Sequence, residues 1–328
     1  MNAVLSVSMD RFVALRRRAE LLHRLRAFFD CRGYLAVETP QLCPTPIPEA
    51  HIALFETRGA DGAPQWLLPS PEYHLKKLLA AGSGNLYEIT HSFRNAEQRG
   101  PQHSAEFTML EYYTVDADGE TSRLLTEELL RELQTAAGGA GPGPDPRILT
   151  MQEAWARWAG IDLASTLDGF RGDASALATA ITGAGLGMEV RPDESWEDLF
   201  QRVFLTYVEP ELPNDRPVFL TRYPAAIQTL ARRIPGTPWA DRWELYLGGV
   251  EVANCFGEET DPATIAAFFD EQRNGKRCSG LVDHAVETGY LSDPPLPRCS
   301  GVAMGVDRMV MHYLGFSDIR QVLTFHYG

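Results

Sequence analysis

Two alternating stretches, Leu86 to Phe93 and Glu106 to Val115, flank a short charged segment, FRNAEQRGPQHSAEF. Period-two alternation with aromatic and β-branched residues predicts one strand, a loop and a second strand folded back on it. That hairpin commits the chain to a sheet whose two neighbouring strands run antiparallel. Its loop and base carry Arg94, Glu97, Arg99, Gly100, Pro101 and His103, with Phe107 just past them. Guanidinium forks are donors for phosphate oxygens, and an aromatic ring offers a face on which a base can stack. Alone this is a nucleotide site only in outline, because charged hairpin loops are usually just solvated.

A second hairpin is written into Trp243 to Asn254. Glu244-Leu-Tyr-Leu-Gly-Gly-Val-Glu251 reads as two strands joined by a Gly248-Gly249 turn. Regular pairing then sets Leu247 against Val250, Tyr246 against Glu251 and Glu244 against Ala253. Glu244 and Glu251 become diagonal neighbours on one face, roughly 7–8 Å apart. Two such carboxylates are either solvated or share a cation, and Mg²⁺ carried on nucleotide phosphates suits one or two carboxylates. Asn254 and Glu258 follow in an apolar strand end, where they are either exposed or hold a ligand, since burial without partners is costly.

Helices surround these strands. Phe12, Leu15, Ala19, Leu22, Leu25 and Phe29 recur at spacings of three and four, predicting a helix over 10–30 with a basic opposite face, ended by Gly33. Residues 41–64 read as loop with a short strand near Ile52 to Thr57. Ser70 suits an N-cap and Pro71 a first helical position. Residues 121–133 read as helix, 135–147 as a Gly/Pro-rich linker, and 150–215 as helical, with caps at Thr150 and Ser195. The fold class is α+β. With 328 residues, 44% of them hydrophobic, the chain can bury a large single core.

A formal charge of −14 argues against broad binding to polyanions. Five cysteines without CxxC spacing suggest neither a disulfide framework nor a zinc site. Neither a signal peptide nor a membrane span is evident, so a soluble, cytoplasmic protein is expected.

Three segments in order resemble the motifs of class II aminoacyl-tRNA synthetases in their lysyl branch: Gly33 to Pro40 for motif 1, Phe93 to Tyr113 for motif 2, and Gly301 to Arg308 for motif 3. The resemblance implies an antiparallel sheet flanked by helices, one catalytic domain over 1–328, and a helical insertion between motifs 2 and 3 at about 120–215. It implies ATP and Mg²⁺, with ATP contacted by Arg94, Asn95, Ala96, Glu97, Ser104, Phe107, Glu244, Leu245, Gly305 and Arg308. Arg94, Glu244, Glu251 and Arg308 would be catalytic, and Glu244 and Glu251 the metal ligands. The amino acid would lie among Ser70, Glu72, Glu111, Tyr113, Glu251, Asn254, Glu258 and Ala303. Carboxylates at 72, 111 and 258 suit a diamino acid.

Only about 30 residues precede motif 1, too few for an anticodon-binding barrel. A core of this length is similar to the elongation factor P lysine ligase family, synthetase paralogues that transfer (R)-β-lysine to a lysine of elongation factor P. Ala303 stands where tRNA-charging enzymes have glycine. The family also implies a homodimer built on the first helix and motif 1. The motif 2 loop departs from the pattern: it is one residue longer, Ala96 replaces a glutamate that Glu97 would replace in turn, and Ser104-Ala105 replaces Asn-Pro. Two other readings stay open, a ligase for another amino acid or carrier, and an inactive regulatory paralogue.

Overall fold

The computed structural model describes residues 9–95, 100–139, 141, 143, 145–278, 280, 282–287 and 289–326. The chain runs α1 (Met9–Asp30), β1 (Leu35–Ala36), β2 (Leu42–Cys43), β3 (Phe55–Arg58), β4 (Pro64–Leu67), α2 (Glu72–Ala80), β5 (Leu86–Phe93), β6 (Glu106–Val115) and α3 (Gly119–Ala136). After β7 (Arg147–Thr150) come α4 (Met151–Ala154), β8 (Leu167–Asp168), β9 (Arg171–Gly172), α5 (Ala174–Gly183) and α6 (Trp196–Val203). The last third holds β10 (Val218–Thr221), β11 (Arg242–Leu247), β12 (Val250–Gly257), α7 (Pro262–Cys278), β13 (Cys299–Gly305) and α8 (Val306–Tyr313).

Eight strands form the central sheet in the order β1-β5-β6-β13-β12-β11-β10-β7. The six inner strands pair antiparallel, as expected, while β1 and β7 join the edges in parallel. One face is the main core. Tyr87, Leu110, Tyr112, Val302, Met304, Leu245 and Ala253 point into it and meet Leu21, Leu25, Phe28 and Phe29 of α1 and Leu129, Leu130 and Leu133 of α3. Each large apolar side chain withdrawn from water contributes about 1.5–3 kcal/mol before entropy is subtracted, so this face anchors the sheet. The other face is left for chemistry.

Several expectations are corrected. The buried stripe of α1 runs through Ala14, Leu21, Leu25 and Phe28, whereas Phe12 is half exposed. Leu25 and Phe29 of the expected stripe are buried, so the buried face departs from it mainly at the start of the helix. Residues 41–64 are mainly loop, as expected, and the expected short strand is β3, which pairs with β4 and, through it, with β2 in a small sheet. Pro71, not Ser70, occupies the N-cap position of α2, and Ser70 Oγ accepts from the Glu72 amide at 3.0 Å. α3 packs in the main core, so the separately packed helical segment begins after β7 rather than near 120. There Trp155, Leu177, Ile181, Trp196, Phe200 and Phe204 bury themselves against Val218, Leu220 and Tyr246. The capping boxes at Thr150 and Ser195 are both formed.

Candidate active site

The β11–β12 hairpin turns through Gly248 and Gly249, both at positive φ (58° and 75°), as the two-residue turn requires. Its register departs from regular alternation. Tyr246 faces Glu251 as expected, but Leu245 faces Ala253 and Glu244 faces Asn254. Val252 is the extra residue of a bulge, a device that re-aims side chains. Without it Asn254 would point into the core. With it, one row crosses the open face: Glu88, Glu111, Ala303, Asn254 and Glu244. The next row holds Leu86, Tyr113, Gly301, Phe256 and Arg242.

Two cavities lie on this face. The first, about 160 Å³, is lined among others by Arg94, Ser104, Phe107, Glu251, Gly305 and Arg308. The second, about 120 Å³, is lined among others by Ser70, Glu72, Glu111, Tyr113, Glu258 and Gly301. Arg94, Met109, Asn254 and Ala303 belong to both. The shared wall brings a phosphate-sized donor site and a carboxylate-rich pocket into contact.

In the first cavity the Arg94 guanidinium sits 5.4 Å from the Phe107 ring centroid. Its Nε is buried with no hydrogen-bond partner among the described residues, a donor left for a ligand. Arg308, two residues into α8, donates from Nε to the Gln102 carbonyl at 3.1 Å and from Nη1 to the Glu251 carbonyl at 2.8 Å. Those bonds fix its guanidinium in the wall of the cavity that Phe107 also lines. Asp307 holds the helix start in place, accepting from the Thr108 amide at 2.7 Å and pairing with Arg18 of α1 at 2.6 Å. Arg18, counted with the basic outer face of α1 in the sequence, is therefore a structural residue of the site. Asn95 is anchored to Ala53 and Leu54. Leu245 points into the core, so only its backbone faces the hairpin partner. Ala96 and Glu97 lie outside the described residues.

In the second cavity the carboxylates differ from one another. Both oxygens of Glu111 are occupied, by the Ser70 hydroxyl at 2.5 Å and the Tyr113 hydroxyl at 2.7 Å. Burial, reinforced by the Glu72 charge, pushes Glu111 up to about 8, against the two hydroxyl donors. Glu72 and Glu258 are bridged by Lys76, whose Nζ lies 2.5 Å from Glu72 and 2.7 Å from Glu258. Burial alone would discharge this lysine, but Glu258 and Glu72 together hold it charged and above its ordinary range. The pocket is thus less anionic than three free carboxylates implied. Sequence reading missed Lys76 because the cation's second partner, Glu258, lies 182 residues away. Gly301 is required by close approach: a Cβ there would stand 2.3 Å from the Tyr113 ring and 2.6 Å from a Glu258 oxygen.

Glu244 does not line the first cavity. Its carboxylate accepts from Arg242 at 2.6 Å, from Tyr246 at 2.7 Å and from Tyr223. Glu251 does line it, and its carboxylate has no hydrogen-bonded partner among the described residues. Burial and the nearby Glu244 charge push Glu251 up to about 7. A cation brought in on phosphates would relieve both effects, so Glu251 and Glu244 are the residues that would hold Mg²⁺.

The class II tRNA synthetase family (D, K and N) matches residues 5–327. The elongation factor P–(R)-β-lysine ligase of Yersinia enterocolitica is 34% identical over 96% of this chain and 95% of its own length. Ligases of the same name from Erwinia tasmaniensis and Enterobacter sp. strain 638 are each 35% identical, over 95% of this chain and 94% of theirs. The order of the three motifs, the paired cavities and these full-length similarities agree: the chain belongs to the class II (D, K and N) tRNA synthetase family and, within it, to the elongation factor P–(R)-β-lysine ligases.

Proposed function

We propose that this enzyme activates (R)-β-lysine with ATP as an acyl-adenylate and transfers the acyl group to a lysine side chain of elongation factor P. The observation that carries the reading is the wall shared by the two cavities, where Arg94 and Asn254 meet. An acid held in the second cavity presents its carboxylate there, to the α-phosphorus of ATP held in the first. The carboxylate oxygen attacks phosphorus and pyrophosphate leaves, so the protein supplies position and charge rather than a nucleophile. Arg94 neutralises charge on the α-phosphate and the incoming carboxylate. Asn254, whose Oδ1 is buried without a hydrogen-bond partner among the described residues, orients the substrate backbone. Phe107 and Arg308 hold the adenine. Glu251 and Glu244 would hold the Mg²⁺ that accompanies ATP, which would supply neutralisation of phosphate charge.

At the far end of the second cavity Glu72 and Glu258, bridged by Lys76, receive the substrate's ammonium groups. The Ala303 methyl, on the shared wall, narrows the space beside the substrate backbone. The half-exposed Phe12, Val13 and Leu35 on α1 and β1 support a homodimer through that surface. The test is mass spectrometry of elongation factor P incubated with enzyme, Mg²⁺, ATP and (R)-β-lysine. One added lysyl mass is expected, falling about 10²–10³-fold in rate for Arg94→Ala. An unmodified acceptor in the presence of active enzyme would refute the acceptor assignment.

A further inference from the structure

A third cavity, about 150 Å³, adjoins the amino-acid pocket. The two share Glu49, Ile52, Glu72 and Phe256. Its rim is exposed at His51 and Gln228, and its sides are apolar, formed by Ile47, Leu230 and Phe268. Its inner end is Glu49, on the segment between β2 and β3. That segment is anchored on both sides of Glu49: the Thr45 hydroxyl lies 3.1 Å from the Tyr73 hydroxyl, the Ala50 amide donates to Gln272 of α7 at 2.8 Å, and the Ala53 carbonyl accepts from the Asn95 amide at 2.9 Å, one residue past Arg94. Glu49 thus lies where the amino-acid cavity joins an apolar slot that reaches solvent, near enough to Arg94 for that charge to act on it. Nothing in the activation step uses it.

We propose that this third cavity takes the alkyl chain of the acceptor amine, and that Glu49 is the general base that deprotonates it for attack on the adenylate. The inference rests on the functional reading above. Apolar walls suit a four-carbon stem, and a carboxylate at the inner end suits its ammonium. An ammonium cannot attack. Its proton passes to the Glu49 carboxylate, and the freed lone pair forms the C–N bond to the adenylate carbonyl. The bond from that carbon to the phosphate oxygen then breaks, AMP leaves with the electron pair, and the second nitrogen proton departs with AMP to solvent.

The groups facing Glu49 are Glu72 and Lys76 from α2, Arg94 beyond β5 and Lys276 from α7, with Glu111 and Glu258 across the amino-acid cavity and His51 at the rim. Burial, then the Glu72 charge, pushes its carboxyl up to about 7, against the three cations. That value suits proton exchange with an amine at neutral pH.

The test uses single-turnover transfer from preformed adenylate on the full-length enzyme, with two acceptors: Nα-acetyl-lysine methylamide, protonated at pH 7, and hydroxylamine, already neutral. Glu49→Gln is expected to slow transfer to the lysine amide about 100-fold, the size of a lost general base, while hydroxylamine capture and ATP–pyrophosphate exchange change less than about fivefold. Wild-type transfer to the amide rises with pH to a plateau above about 7, and the variant lacks that inflection. Glu49→Asp retains part of the rate. Equal loss with both acceptors, or no loss with either, overturns the proposal alone. Absence of wild-type exchange with every diamino acid overturns the functional reading, and this proposal with it.

Discussion

Lys76 shows how one residue sets the chemistry of a pocket. It is 1% exposed and is held by two carboxylates, each near the limit of a short charge-assisted bond. Removing one member of a buried ion pair costs about 3–5 kcal/mol, because the remaining charges are left uncompensated. Lys76→Met is therefore expected to lower the thermal midpoint markedly. A diamino acid should raise the variant's midpoint more than the wild type's, since the ligand's ammonium then replaces the missing cation between Glu72 and Glu258. A variant as stable as the wild type would show that the bridge carries no weight. The sequence displayed Glu72 and Lys76 as an ordinary i,i+4 pair on a helix, which is usually solvated. Burial of that helix face is a tertiary fact with no local signal.

At the scale of elements, the two hairpins were legible and the break in their pleat was not. The aromatic and β-branched residues of Leu86–Phe93 and Glu106–Val115 announce β5 and β6, and the paired glycines at 248 and 249 mark a tight turn. Val252 looks like any other strand residue, yet it shifts Asn254 onto the face that carries Glu251 and Ala303. The same limit applies to β2 and β4, only two and four residues long, with Pro64 opening the second. Strands so short lack the alternation that announces longer ones. The bulge makes a sharp prediction. Deleting Val252 restores regular pairing, which leaves either Glu251 or Asn254 on the core face. Pyrophosphate exchange should fall at least about 100-fold, the cost of a misplaced reacting group, while the circular dichroism of the sheet persists. Wild-type exchange in the deletion would mean that the register is not what aligns the two residues.

The whole molecule divides its labour between the two faces of one sheet. α1, α3 and the buried aromatics hold one face, so the other can carry carboxylates, arginines and three adjoining cavities that would be unstable in a smaller body. The fold class was readable because motif order survives in the sequence, and residues named from those motifs line the first two cavities. The helical segment's starting point was not readable, because only packing shows that α3 belongs to the main core. Among the described residues no helix is long and apolar enough to cross a membrane. The central claim concerns the shared wall at Arg94, Met109, Asn254 and Ala303, where an acid meets ATP. The most direct measurement is amino-acid-dependent ATP–pyrophosphate exchange with (R)-β-lysine, α-lysine and aspartate, using Arg94→Ala as the blank. Exchange strongest with (R)-β-lysine, weaker with α-lysine and absent with aspartate and in the blank is the predicted result. Exchange with none of the three, or undiminished exchange in Arg94→Ala, would contradict it.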